Sequence, residues 1–328
     1  MKTRLRYECS TNYMKHRGNM LDLHQREYGV VRPELYDSLY LKNPEGDPLL
    51  GLCFDGRKLV GQENYIRQNL ALRGRFLRSA IGVNTVVDPQ YRLFYGVFKE
   101  LIQLTMNKMR EGNNEILCTN ANDQSQPYYT KYFDWKIMTR VQVHKKSIGS
   151  LAFSREGFLS LLRPGRLHKD FTLKEVSEFD PGIVKSIIDR HFEKASYGYF
   201  VKTVEFINWK YLENQYYLLK GFLIQDHGIT RGFVVTHDDG AELKIIDFLI
   251  ENDDTSVFEK TINALAYTGS RNGKKRLVIC ATPDCWYLKS LKKQLFFRRW
   301  DFDFLAISLN GTPMPDRWVL QVGDFDIF

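Results

Sequence analysis

Two stretches of this chain, "VFKELIQLTMNKMREGNNEILCTNAND" at residues 97–123 and "VFEKTINALAYTGSRNGKKRLVICATPD" at residues 257–284, run through the same features in the same order. Each opens on Val-Phe, continues as an amphipathic helix with apolar residues three and four apart, and breaks at Gly-Asn or Asn-Gly. Each then closes as an apolar strand that reaches a cysteine, Cys118 or Cys280. The match extends upstream. "DGRKLVGQENYI" (55–66) and "SAIGVNTVVDP" (79–89) precede the first stretch, and "DHGITRGFVVTH" (226–237) and "AELKIIDFLIEN" (241–252) precede the second, each set reading as two strands around a tight turn. A duplicated unit accounts for this order. The expectation is an α/β protein of the α+β, mixed-sheet kind, with two related domains at 1–148 and 149–328. Their join falls near Ser147 to Phe153, after "KIMTRVQVHKK" and before "LAFSREGFLSLLRPGR".

Composition narrows the class. A hydrophobic share of 43% and a charged share of 26% are those of a globular chain, and 328 residues suffice for two cores. The formal net charge of +8 suits an anionic partner such as a nucleotide, CoA or nucleic acid without choosing among them. Cys9, Cys53, Cys118, Cys280 and Cys285 are odd in number and scattered, unlike a disulfide framework or a paired zinc site, so a reducing compartment and no metal are expected. The N-terminus lacks an apolar signal core and no run of about 18 apolar residues occurs, which points to a cytoplasmic protein without a membrane segment.

The two copies differ where strand passes into helix. The first reads "VVDPQYRLFYGVFKEL" (86–101). Such a loop presents backbone N–H groups at the positive end of a helix, and a glycine lets a phosphate come close. Gly96 stands there with Arg92 in the loop and Lys99 one turn into the helix. The second copy has "ENDDTSVF", with Ser256 in place of Gly96 and with Asp253 and Asp254, good N-caps that repel a pyrophosphate. If one copy binds phosphates, it is the first.

The strand, the V-x-P-x-Y-R turn, the glycine and the helix together resemble the CoA-binding motif of the GNAT acyltransferases: Arg or Gln, two residues, Gly, one residue, then Gly or Ala. With one extra loop residue, Gly96 takes the first glycine position and Phe98 the second, and Tyr95 and Val97 complete the loop. The flanks resemble the tandem-GNAT sugar N-acyltransferases of bacterial surface-polysaccharide synthesis, over roughly residues 36 to 328: "LYDSLYLKNPEGDPLLGLCFDGRKLVG", "TNANDQSQPYYTKYFDWK", "FINWKYLENQYY" and "WVLQVGDFDIF". What the resemblance implies is a GNAT-like CoA-binding domain followed by a degenerate one without the CoA loop. It also implies transfer of an acyl group, acetyl or 3-hydroxyacyl, from acyl-CoA to a nucleotide-linked amino sugar such as a dTDP-3-amino-3,6-dideoxyhexose. A tandem-GNAT aminoacyl transferase using aminoacyl-tRNA in cell-wall synthesis is the alternative, and a non-catalytic pair of binding domains is a third. The first of these would not need the phosphate loop, so nucleic acid is not the expected partner.

Thioester aminolysis needs an unprotonated amine, donors for the developing oxyanion and a proton for the thiolate. By resemblance, the backbone N–H groups near Val86 and Val87 face the thioester. The family's tyrosine proton donor falls among Tyr128, Tyr129 and Tyr132, with Tyr129 preferred by spacing; aromatic packing is the competing role. Asn122, like Asn120, either binds pantetheine or caps the next helix, and capping is preferred. Asp247, a carboxylate inside "LKIIDFLI", must be paired, protonated or functional, and is preferred as general base over His191. Glu63 is placed on the strand beside the CoA strand, where it could face the cleft. For the acceptor, Trp209 and Tyr211, with Tyr216 and Tyr217, stack a base or pack a helix, and Asp324 and Asp326 either reach the substrate or end a solvated strand.

Overall fold

The computed structural model describes residues 5–92, 96–148, 170–213 and 216–325. Tyr95, Asp326 and the segment 149–169, which contains most of the expected join, lie outside the described residues.

The chain divides into two compact units. The first comprises Met1–Leu70, Phe76–Met138 and Asp303–Met314, and the second Ala71–Arg75, Thr139–Phe302 and Pro315–Phe328. Along the chain run β1 (Arg6–Ser10), α1 (Tyr13–Tyr28), α2 (Pro33–Tyr40), β2 (Leu49–Asp55), β3 (Lys58–Arg67), the short β4 (Leu70–Leu72) and β5 (Arg75–Leu77), β6 (Ser79–Val87), α3 (Pro89–Arg92), α4 (Gly96–Glu111), β7 (Ile116–Thr119) and α5 (Gln126–Tyr132). There follow β8 (Lys136–Ser147), β9 (Phe171–Val176), α6 (Pro181–Lys194), β10 (Tyr199–Phe200), α7 (Val204–Ile207) continuing into a π turn at Asn208–Leu212, β11 (Lys220–Asp226), β12 (Ile229–Asp239), β13 (Glu242–Ile250), α8 (Thr255–Arg271), β14 (Arg276–Ala281), α9 (Leu288–Lys293) and β15 (Phe297–Ser308).

The duplication is real at the level of topology. In the first unit the strands lie in the order β1-β2-β3-β6-β7-β15, and in the second β9-β11-β12-β13-β14-β8. In both, the fourth and fifth strands are the parallel pair, and the other pairings seen in register are antiparallel. The first unit takes its sixth strand from far along the sequence, Leu305–Ser308 pairing with β7, whereas in the second the sixth strand is the one at the start of its own stretch, Gln142–Ser147 pairing with β14.

Helix periodicity produces these layers. On α4 the buried residues Val97, Leu101, Ile102, Thr105, Met106 and Met109 recur every three or four positions, and on α8 Val257, Phe258, Thr261, Ile262 and Leu265 do the same. Strand β3 is buried on both faces, so it does not alternate apolar with polar. Its Gly61 lets α4 come close: a Cβ there would meet Val97 Cγ1 at 2.9 Å. Cys118 and Cys280 are buried on the fifth strands of the two units, where each packs as a small hydrophobe.

Candidate active site

The first unit opens where its parallel pair ends. Strands β6 and β7 are in register only over Ser79↔Ile116, Ala80↔Leu117 and Ile81↔Cys118, while β6 runs on to Val87. Past Ile81 its β7 side carries no ladder partner among the described residues; on the other side Val86 and Val87 stay paired with Gln62 and Gly61 of β3. The gap holds a cavity of about 210 Å³, walled by Thr85–Val87, by Tyr91, Arg92 and Phe98 around the start of α4, by Asn122, Gln124, Ser125 and Tyr128 around the start of α5, and by Tyr28. An unpaired strand edge, a helix start and aromatic walls in one cavity fit an extended, amide-bearing phosphate ester such as the CoA arm.

Of the expected cofactor residues, Val86, Val87, Arg92, Phe98 and Asn122 line this cavity, and Gly96, Val97 and Lys99 are not among its lining residues. Gly96 opens α4, and a Cβ placed there would meet nothing within 4 Å, so its small size is not demanded by packing. Val97 points into the core against Gly61, which leaves only its backbone for a ligand. Phe98 stands edge-on to Tyr128 and Tyr129 at ring distances of 5.4 and 5.6 Å. Arg92 is fastened: its Nη2 donates to Glu27 Oε2 at 2.6 Å and its Nε to the Val87 carbonyl at 2.7 Å. Lys99 is exposed on α4. Asn122 caps the turn into α5, its Oδ1 accepting from the N–H groups of Gln124 (3.1 Å) and Ser125 (2.9 Å), and lines the cavity as well.

Glu63 lies fully buried beside the cleft. Its Oε2 accepts from Thr85 Oγ1 at 2.5 Å and its Oε1 from the Tyr129 hydroxyl at 2.8 Å. Burial pushes its pKa up, against the opposing pull of these hydroxyls, and the Tyr129 hydroxyl is pushed up by burial and by the neighbouring carboxylate. Tyr129 therefore spends its proton on Glu63, and the α5 tyrosine that lines the cavity is Tyr128. Helix α5 has seven residues, too few for spacing alone to fix which tyrosine faces inward.

Asp247 falls in the second unit and is paired, whereas Tyr129 belongs to the first. Lys202 Nζ donates to Asp247 Oδ2 at 2.6 Å and to Asp324 Oδ1 at 2.7 Å, and the Tyr211 hydroxyl also donates to Asp247. All four side chains are buried. Burial raises the Asp247 pKa in spite of Lys202. For Lys202 burial works the other way, yet the two carboxylates outweigh it and hold the ammonium charged. Trp209 packs on Phe206 at 5.4 Å inside a hydrophobic cluster that also contains Tyr211. His191 faces Asp253 and Tyr197, with its pKa lowered to about 4 by burial and by Lys202.

The sequence reading missed Thr85, Tyr28 and Tyr91 as cavity residues, and Lys202 and Gln321 as the partners that hold the second unit's polar core. A lysine in "YFVKTVEF" and a glutamine in "WVLQVG" are the visible signals, each a long polar side chain in an apolar run. Among the described residues no three His, Cys, Asp or Glu side chains gather as a metal site requires, and no helix is long and apolar enough to cross a membrane.

Residues 19–138 match the model of an acetyltransferase (GNAT) domain. Solved structures with the same fold include a GCN5-related N-acetyltransferase from Anabaena variabilis, 16% identical with a TM-score of 0.68, the match covering 94% of this chain and 73% of that one. A conserved protein of unknown function from Enterococcus faecalis, described as a probable N-acyltransferase, is 13% identical with a TM-score of 0.70 over 94% and 73% of the two chains. A tandem GNAT protein from the clavulanic acid biosynthesis pathway is 11% identical with a TM-score of 0.61 over 94% of this chain and 100% of that one. No curated protein matches the sequence. The chain thus carries a GNAT acetyltransferase domain, and with it the enzyme class of the CoA-dependent N-acyltransferases.

Proposed function

We propose that this chain transfers an acetyl or 3-hydroxyacyl group from CoA to the amine of a nucleotide-linked amino sugar, by direct attack on the thioester in the cleft of the first unit. The observation that carries this reading is the divergence of β6 from β7 after Ile81↔Cys118, which leaves a free strand edge, the start of α4 and a cavity of about 210 Å³ in one place. The pantetheine arm would lie along Thr85–Val87, where the Val86 and Val87 N–H groups are candidate oxyanion donors, and the pyrophosphate would lie toward Gly96 and Lys99. Glu63 is the better base than Asp247, because its carboxylate meets hydroxyls and no ammonium. Tyr128, which lines the cavity, replaces Tyr129 as donor to the departing sulfur. The buried Cys118 and Cys280 have thiols pushed up by burial, so neither is an activated nucleophile and no acyl-enzyme is invoked.

For the acceptor, support comes from the sequence resemblance over residues 36 to 328. Trp209, Tyr211 and Asp324 have core roles in the second unit; substrate contacts are therefore proposed around the first unit's cleft. Free-thiol release from acetyl-CoA and 3-hydroxyacyl-CoA against a panel of dTDP-amino sugars tests the reading. The expected result is saturable release with intersecting double-reciprocal lines. Release with no amino sugar, or acyl label retained on denatured protein, would overturn it.

A further inference from the structure

We propose that Thr85 is a catalytic residue: its hydroxyl receives the acceptor's proton in the cleft and passes its own to the buried carboxylate of Glu63. The proposal rests on the acyl-transfer reading above and names a step within it.

Glu63 is 0% exposed and does not line the cavity, so by itself it cannot meet a substrate. Thr85 does line the cavity and donates to Glu63 Oε2 at 2.5 Å, which makes its hydroxyl a polar link from the open cleft to that carboxylate. It lies immediately before Val86 and Val87, where the thioester is placed.

The link is built by a β-bulge. Between the pairs Asn64↔Val83 and Gln62↔Val86, two residues of β6, Asn84 and Thr85, stand opposite one of β3, Glu63. Asn84 takes the extra step with φ +52, a left-handed conformation that asparagine tolerates better than most residues. It is held there by Gln62 Nε2, which donates to its carbonyl at 2.8 Å, and by its own Nδ2, which donates to the Tyr40 hydroxyl at 3.2 Å. A regular ladder has no such extra residue. The bulge sets Thr85 against Glu63 while its side chain still reaches the cavity.

The surroundings of Glu63 separate it from a structural carboxylate. A buried acid retained for structure is ordinarily matched by a cation, as Asp247 is by Lys202. The groups that face Glu63 are Thr85 from β6, Tyr129 from α5 and Tyr65 from its own strand, all hydroxyls. Thr105 of α4, also nearby, donates to Leu101 O at 2.9 Å within its own helix. Desolvation without a neighbouring cation makes this carboxylate a stronger proton acceptor than an exposed one. Tyr129, donating to Oε1, is a positioning residue that leaves Oε2 for Thr85.

In the step, the amine nitrogen bonds to the thioester carbon and the C–S bond breaks. The nitrogen's proton moves to Thr85 Oγ1 as the Thr85 hydroxyl proton moves to Glu63 Oε2. The thiolate leaves and takes a proton from Tyr128 or water, and Glu63 returns its proton by the same path once the cleft is open.

The test measures transfer from acetyl-CoA to dTDP-3-amino-3,6-dideoxyhexose against pH, with acetyl-CoA affinity measured separately by calorimetry, for the wild type, Thr85→Val, Thr85→Ser and Glu63→Gln. Thr85→Val keeps the shape and removes the hydroxyl. It should lower kcat about 100-fold, as should Glu63→Gln, while acetyl-CoA affinity stays within about twofold of wild type. Thr85→Ser should retain activity within about threefold and keep the wild type's acid limb, set by a carboxylate that titrates above the ordinary range. A Thr85→Val enzyme with wild-type kcat and pH profile would overturn the relay alone. So would a Thr85→Ser enzyme as impaired as Thr85→Val. A wild type that binds acetyl-CoA and releases no thiol with this amine or any other would overturn the parent reading and the relay together.

Discussion

Two clefts in this molecule begin alike and end differently. In the first unit β6 and β7 pair over three positions and then part, leaving a cavity of about 210 Å³. In the second, β13 and β14 pair over Glu242↔Arg276, Leu243↔Leu277 and Lys244↔Val278, and then also part. There, however, the chain fills its own gap. Gln321 lays its side-chain amide against the main chain of Phe248, its Oε1 accepting from the Phe248 N–H at 2.7 Å and its Nε2 donating to the Phe248 carbonyl at 2.9 Å. At the end of the other strand the Thr282 hydroxyl donates to the Trp318 carbonyl, so the segment from Trp318 to Phe325 lies across both diverging strands. Phe248, Phe258, Trp286 and Tyr287 make ring contacts with one another at the end of β13. What is left at the end of β13 is a pocket of about 20 Å³, room for little more than a water molecule. An amide paired to a free strand edge is what a pantetheine arm would supply in the first unit. The second has that role filled permanently by its own residue.

On the proposed reading, polar groups of the second cleft are structural and those of the first functional. Lys202→Met should test this most severely, since it leaves Asp247 and Asp324 buried without their counter-ion; a loss of about 3–5 kcal/mol is expected by chemical denaturation. The loss should shrink on acidification, where the buried Asp247 carboxyl, its pKa already raised by burial, takes up a proton. Lys99→Met, on the exposed face of α4, should cost under about 0.5 kcal/mol. Equal effects of the two would erase the distinction. Gln321→Ala is expected to cost less, about 1–2 kcal/mol for depriving the buried Phe248 carbonyl of its amide partner while the Phe248 N–H keeps Asp247 Oδ1 as acceptor at 2.7 Å, without changing acyl-CoA affinity. A gain of a second CoA site in this variant would sharpen the comparison, because it would show the plug excluding a ligand that the strand edge can still hold.

Local pattern made the duplication legible. The periodicity of α4 and α8, the Gly-Asn and Asn-Gly breaks and the cysteine-ended strands lie within single elements or between neighbours, and the structure carries all of them in matching places. The helix that the glycine loop enters is legible too: it begins at Gly96, which is not itself among the residues lining the cavity. What escaped were contacts that depend on distant chain positions. Lys202 meets Asp247 and Asp324 across 45 and 122 residues, and nothing in "LKIIDFLI" announces the lysine. The bulge that aims Thr85 is a property of two strands in register. The sixth strand of the first unit comes from residues 305–308, far along the sequence, a placement that leaves the periodicity of the strand unchanged.

The central claim is that one cleft of the pair serves acyl-CoA. Calorimetric titration of the wild type and of Gly96→Asp with CoA tests it most directly, since a Cβ at Gly96 meets nothing within 4 Å and the substitution should leave the fold intact. The account predicts one CoA per chain in the wild type, and affinity lowered at least about tenfold in Gly96→Asp by a negative charge at the start of α4. Two CoA molecules per chain, or an affinity unchanged by the aspartate, would contradict it.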